Sequence, residues 1–124
     1  MIIEHNLSCL SNLRKPKYMA FDNQLNRADL DQLKGPAIVE FGANWCGYCQ
    51  AAQSIIAAAA AKYPNVKHIK IEDGKGQRLG RTYSVKLWPT LVFLKDGVEV
   101  SRLVRPTQIA MVTDAINMIN ISED

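Results

Sequence analysis

Cysteine is scarce in this chain: three residues in 124. That is too few to staple a small secreted scaffold, so the fold must rest on a packed core, which a chain of this length can bury. Long apolar runs are also missing; no stretch approaches the ~18 residues of a membrane-spanning helix. Charge of one sign is barely in excess. Fifteen Lys and Arg against twelve Asp and Glu leave +3, and the basic residues are scattered rather than gathered into a stripe, which argues against nucleic acid as a partner. There are no internal repeats and no low-complexity tract. What remains, 48% hydrophobic and 22% charged, is the composition of one soluble domain.

The first residues, M-I-I-E-H-N-L-S-C-L-S-N-L-R-K-P-K, carry neither an apolar h-region nor a small-residue cleavage site and do not read as a signal peptide. Residues 1–17 are expected to be a polar extension, with the domain proper over residues 18–124. A cytoplasmic setting follows as the expectation, and there an isolated cysteine pair is catalytic or metal-binding more often than structural. Cys9, in the extension, reads as a spare thiol or as a site for an intermolecular disulfide.

Periodicity and punctuation order the elements. Tyr18–Phe21 suits a short edge strand. Asn26 offers an N-cap to a helix over Arg27–Leu33, closed by Gly35-Pro36. Ala37–Phe41 is a run of β-formers that suits a buried strand, and Gly47–Lys62 is a long Ala-rich helix. Val66–Glu72 alternates apolar Ile69 and Ile71 with His68 and Lys70, as a strand does. Gln77–Tyr83 suits a short helix, then Thr90–Leu94 and Val98–Val104 are strands joined by Asp96-Gly97, a strong hairpin signal. Pro106-Thr107 opens a last amphipathic helix with Ile109, Val112, Ile116 and Ile119 on one face. The order predicts an α/β fold with a central mixed sheet and helices on both faces.

The chemistry centres on Cys46 and Cys49, which stand at C-x-x-C spacing where a strand hands over to a helix. A helix N-terminus offers unpaired N–H groups and partial positive charge, and both favour thiolate over thiol. Cys46 is therefore the expected nucleophile. Cys49, one turn further in, is within reach to close a disulfide with it.

The segment F-G-A-N-W-C-G-Y-C-Q resembles the active-site segment of the thioredoxins, which carry Trp before the first cysteine and Gly after it. Trp88-Pro89-Thr90 resembles the place where that family has a cis-proline facing both sulfurs, and the element order agrees from about Tyr18 to the last helix. The resemblance implies a thioredoxin-like fold and a protein-disulfide reductase in which Cys46 attacks a target disulfide and Cys49 resolves the mixed disulfide. It implies electrons from a thioredoxin reductase, drawn from NADPH, with no cofactor bound and a monomeric chain. Glu40 occupies the position of a buried carboxylate, normally Asp, that takes the proton from the resolving cysteine. On residue type alone, Lys70 or His68 of the next strand is a candidate partner for it.

Trp45, Gly47, Tyr48, Trp88, Pro89 and Arg105 would line the substrate-docking surface. The departures lie here: Trp88 replaces a β-branched aliphatic, Arg105-Pro106 a small pair, and Gly47-Tyr48 the usual Gly-Pro. Arg105 is expected to narrow the groove and favour acidic flanks on the target. Gly47-Tyr48 also occurs in periplasmic disulfide isomerases, so a more oxidising oxidase or isomerase is the alternative, as is an interaction module whose redox activity is secondary. Two other readings fare worse. A zinc or iron–sulfur site using Cys46, Cys49, Cys9 and His5 or His68 lacks a second cysteine pair. The Gly74–Gly80 stretch has the wrong spacing for a dinucleotide-binding turn.

Overall fold

The computed structural model describes residues 25–74 and 78–121; the expected strand Tyr18–Phe21 and the extension with His5 and Cys9 lie outside them. Helix α1 (Arg27–Asp31) begins with a reciprocal capping box: Asn26 Oδ1 accepts from Asp29 N, and Asp29 Oδ2 from Asn26 N, both at 2.9 Å. These bonds satisfy two N–H groups that the helix itself cannot. The helix ends two residues earlier than its apolar spacing suggests, and Leu30 alone is its fully buried residue. Gly35, at φ 77°, turns the chain into strand β1 (Pro36–Gly42), a conformation glycine adopts without a Cβ penalty.

β1 is the middle of the molecule. Strand β2 (Lys67–Glu72) pairs with it in parallel and β3 (Thr90–Lys95) antiparallel, and β4 (Val98–Val104) pairs antiparallel with β3, so the order is β2-β1-β3-β4. The parallel step is spanned by α2 (Gly47–Ala61); α3 (Leu79–Thr82) lies between β2 and β3, and α4 (Ile109–Ile119) closes the chain. Asp96 and Gly97 both have positive φ, 50° and 81°, as a primed hairpin turn requires. The sheet is mixed and covered on both faces, in agreement with the element order.

Side chains of β1 alternate between two cores. Ile38 faces Ile56 and Ala59 of α2, Leu91 and Phe93 of β3, and Val112, Ile116 and Ile119 of α4. Val39 and Phe41 face the opposite way, toward Leu30 of α1, Leu79 of α3, Tyr83, Val92 and Leu94. Each such buried side chain contributes roughly 1.5–3 kcal/mol, so most of the fold's stability sits around this strand. The last helix starts at Ile109 rather than Pro106, with Ile109 exposed and the buried stripe running Val112, Ala115, Ile116, Ile119. The same alternation that sends Ile38 toward α2 sends Glu40 there too, fully buried, beside His68 and Lys70 of β2 on the same sheet face.

Candidate active site

Cys46 is the N-cap of α2. Its backbone is extended (φ −81°, ψ 122°), and its Sγ accepts the N–H of Cys49 at 3.3 Å. A sulfur thus does what a Ser or Asp oxygen does in an ordinary N-cap, and it receives the field of the helix start at the same time. The approach loop is tied on either side of it. Cys46 N donates to Ala43 O at 3.2 Å, Gln50 N to Cys46 O at 3.0 Å, and Gln50 Nε2 to Asn44 O at 2.8 Å.

Both thiols are free and buried, and they share a small cluster with Ala43 against which Trp88 packs. Cys49 is the deeper of the two. Burial pushes its thiol up to about 12; the hydrogen bond with Cys46 and the charges of Cys46 and Glu40 act in the same direction, while the Ala43 backbone offsets part of the shift. One sulfur sits at the helix terminus and the other keeps its proton, so the pair is chemically unequal.

Behind Cys49 lies a polar network inside the core. Glu40 Oε1 meets His68 Nε2 at 2.8 Å, and Glu40 Oε2 accepts from Gln53 Nε2 at 3.0 Å. Gln53 Oε1 in turn accepts from Lys70 Nζ at 2.8 Å. Burial holds Lys70 below its ordinary value, and the charges of Glu40 and Cys49 partly offset this. Of the two candidate partners for Glu40, His68 meets it at 2.8 Å, and Lys70 is joined to the same network through the Gln53 amide. Gln53 itself was not foreseen. It stands four residues after Cys49, hence on the same helix face, and that spacing was the available signal.

The outer rim is aromatic. Trp45 and Tyr48 are 69% and 59% exposed, and Trp45 meets Trp88 edge-on, with centroids 5.3 Å apart at 73°. The Trp88–Pro89 bond is cis, as the resemblance implied, and Pro89 is buried. Trp88 is held at both ends: its Nε1 donates to Asp73 Oδ2 at 2.8 Å, and its carbonyl accepts from Arg105 Nε at 2.7 Å. The Arg105 guanidinium also lies over the Tyr48 ring, 3.6 Å from its centroid. Cys46, Cys49, Trp45, Gly47, Tyr48, Trp88, Pro89 and Arg105 therefore gather at one end of the sheet, with Glu40 beneath. Asp73 is the second residue not anticipated, and nothing in its position just past β2 marks it. Among the described residues no three His, Cys, Asp or Glu side chains converge as metal ligands would.

The model of the thioredoxin family matches residues 16–118. This chain belongs to the thioredoxin family. Thioredoxin 2 of Pseudomonas aeruginosa PAO1, solved in its reduced form, superposes with a TM-score of 0.73 at 50% identity, covering 86% of this chain and 96% of that one. The thioredoxin of Chlamydia pneumoniae is 37% identical over 83 residues, 67% of this chain and 81% of its own. Thioredoxin H-type 1 of Nicotiana tabacum is 38% identical over 73 residues; the match spans 59% of this chain and 58% of the tobacco protein, less than two thirds of its length. The family's chemistry is thiol–disulfide exchange, and this chain is a thiol–disulfide oxidoreductase of the thioredoxin type.

Proposed function

We propose that the chain is a cytoplasmic reductant of protein disulfides, with Cys46 as nucleophile, Cys49 as resolving thiol and Glu40 as proton acceptor. The Cys46 thiolate attacks one sulfur of a target disulfide, forming a mixed disulfide and expelling the other target sulfur as a thiolate. Cys49 then gives its proton to Glu40 and attacks Cys46 Sγ. The target leaves as a dithiol and the Cys46–Cys49 disulfide remains. Two electrons are returned by a thioredoxin reductase. The domain over residues 18–124 acts as a monomer without a bound cofactor, and Trp45, Gly47, Tyr48, Trp88, Pro89 and Arg105 form the surface on which targets dock.

The observation that carries this reading is the inequality of the two thiols. Cys46 Sγ takes the N–H of Cys49 at the start of α2, whereas Cys49 is buried above the Glu40 carboxylate, with its thiol pushed up to about 12. An attacking sulfur has to be ionised before the target arrives, and a resolving sulfur has to stay protonated until it is needed.

Redox titration of the Cys46/Cys49 pair against a dithiol buffer tests the direction. A potential near that of thioredoxin itself, about −270 mV, is expected. A value of about −180 to −120 mV would instead make the protein an oxidase or isomerase, the direction in which Gly47-Tyr48 leans. A Cys46→Ser variant that loses reduction yet holds partners as tightly as before would favour the interaction-module reading.

A further inference from the structure

Arg105 is placed in an unusual way for a surface arginine. Its backbone is left-handed, φ 53°, a region that costs a non-glycine residue roughly 1 kcal/mol or more. Its N–H donates to Pro89 O at 2.9 Å. The turn returns the side chain over the active-site rim, where Nε is fixed on the Trp88 carbonyl and the guanidinium plane on the Tyr48 ring. Two of the constraints that define a planar fork, one edge and one face, are thus already supplied by the protein.

The end of the fork is unspent. Among the described residues neither Nη of Arg105 has a hydrogen-bond partner. Beside it opens a cleft of about 330 Å³ between α2 and the segment after β4, walled by Tyr48, Ala51, Ile55, Pro106 and Thr107, with Arg105 the one charged residue among those lining it. A carboxylate is the group that matches two parallel N–H donors on a charge that never titrates away. The ordering cost of the arginine is largely met before the target arrives, which strengthens selection by charge.

We propose that Arg105 is a specificity-determining residue that selects disulfides flanked by acidic side chains, reading a target carboxylate through its two Nη groups while Nε stays on the Trp88 carbonyl. Basic flanks meet the same cation and are disfavoured. This selection rests on the reductase reading and names its substrate class.

The test uses two cyclic peptide disulfides that differ only in carrying Glu or Lys beside the cysteines, reduced by the full chain under turnover with dithiothreitol. Wild type is expected to show a kcat/KM roughly fivefold higher for the Glu peptide, the scale of one partly exposed charge-assisted pair, and to lose much of the preference in high salt. Arg105→Gln should bring the ratio to about one, whatever it does to the absolute rates. Arg105→Lys, which keeps the charge but not the fork, should hold part of the preference. Equal rates for the two peptides with wild type, or a preference that survives in Arg105→Gln, would overturn the selection and leave the reductase intact. Reduction of neither peptide would remove the reductase reading, and the selection with it.

Discussion

Glu40 and His68 meet at 2.8 Å although they are not opposite each other in the ladder: Glu40 is paired with Lys70, and His68 with Ile38. The carboxylate takes the imidazole on the diagonal, and the Gln53 amide from α2 binds both the acid and the lysine. Both Glu40 oxygens therefore have a protein partner. Removing one partner strands the other, and that cost exceeds what the pair contributes as a whole. His68→Leu should lower the unfolding free energy by about 3 kcal/mol, measured by denaturant unfolding. A Glu40→Leu, His68→Leu double variant should recover much of the loss. A loss equal to the sum of the two single variants would mean that the pair is not coupled.

Glu40→Gln preserves size and can still hydrogen-bond, but it cannot take a proton. Attack by Cys46 should be little affected, whereas resolution by Cys49 should slow by about 100-fold, the low end for loss of a general base. Acid quenching followed by intact-mass measurement would then show the mixed disulfide on Cys46 accumulating during turnover. Absence of that species at every time point, with turnover unchanged, would take Glu40 out of the proton path.

Cys49 also leaves a mark on stability. Its folded thiol titrates near about 12, whereas an unfolded thiol does so near ~8.5. The folded chain thus holds a proton after the unfolded chain has released it. The contribution is intact below about 8.5 and is lost as pH climbs toward 12, by at most ~1.4 kcal/mol per pH unit. Tyr83, raised by burial, adds the same sign at higher pH; Lys70, lowered by burial, has the opposite sign, because its folded form releases the proton first. Both groups are present in Cys49→Ala as well, so the difference between reduced wild type and that variant reports Cys49 together with its effect on Lys70. Denaturation at pH 7.5 and 10 should show wild type losing more stability than the variant. Parallel losses would contradict a buried, proton-retaining thiol.

Much of this architecture is legible in the chain because local signals and global fold agree. β1 is bounded by Gly35-Pro36 and read by its β-branched run, the capping residue Asn26 sits where α1 starts, and Asp96-Gly97 sets the hairpin turn. Cys46 and Cys49 are found by spacing plus the strand-to-helix junction. The long-range polar contacts are harder to foresee. Gln53 is a polar residue on an Ala-rich helix, and only the depth of Glu40 beneath that helix explains it. The Trp88–Asp73 bond joins segments fifteen residues apart and depends on where β2 ends relative to β3. The reach of Arg105 to the Trp88 carbonyl depends on a left-handed backbone that a non-glycine sequence does not advertise.

Asp73 offers a way to loosen the rim without touching a sulfur. Its backbone is fixed by a bond from Asp73 N to Gly42 O at 2.9 Å, and its carboxylate lies against the bare Cα of Gly80 in α3, where an added Cβ would overlap it. The obstacle is the far end of a flexible side chain, not backbone. In Gly80→Ala the carboxylate should therefore swing aside and release Trp88 Nε1. Alanine in place of glycine favours the helix by up to ~1 kcal/mol, and one lost hydrogen bond costs about as much, so stability should change little. Trp88 should nonetheless reorient against Trp45, seen as altered tryptophan emission in the reduced protein, and the KM for a protein disulfide should rise with kcat nearly kept. Asp73→Asn, which still offers an oxygen to the indole, should act in the same direction but less. A large fall in stability with unchanged emission would show instead that the helix moved and the carboxylate stayed.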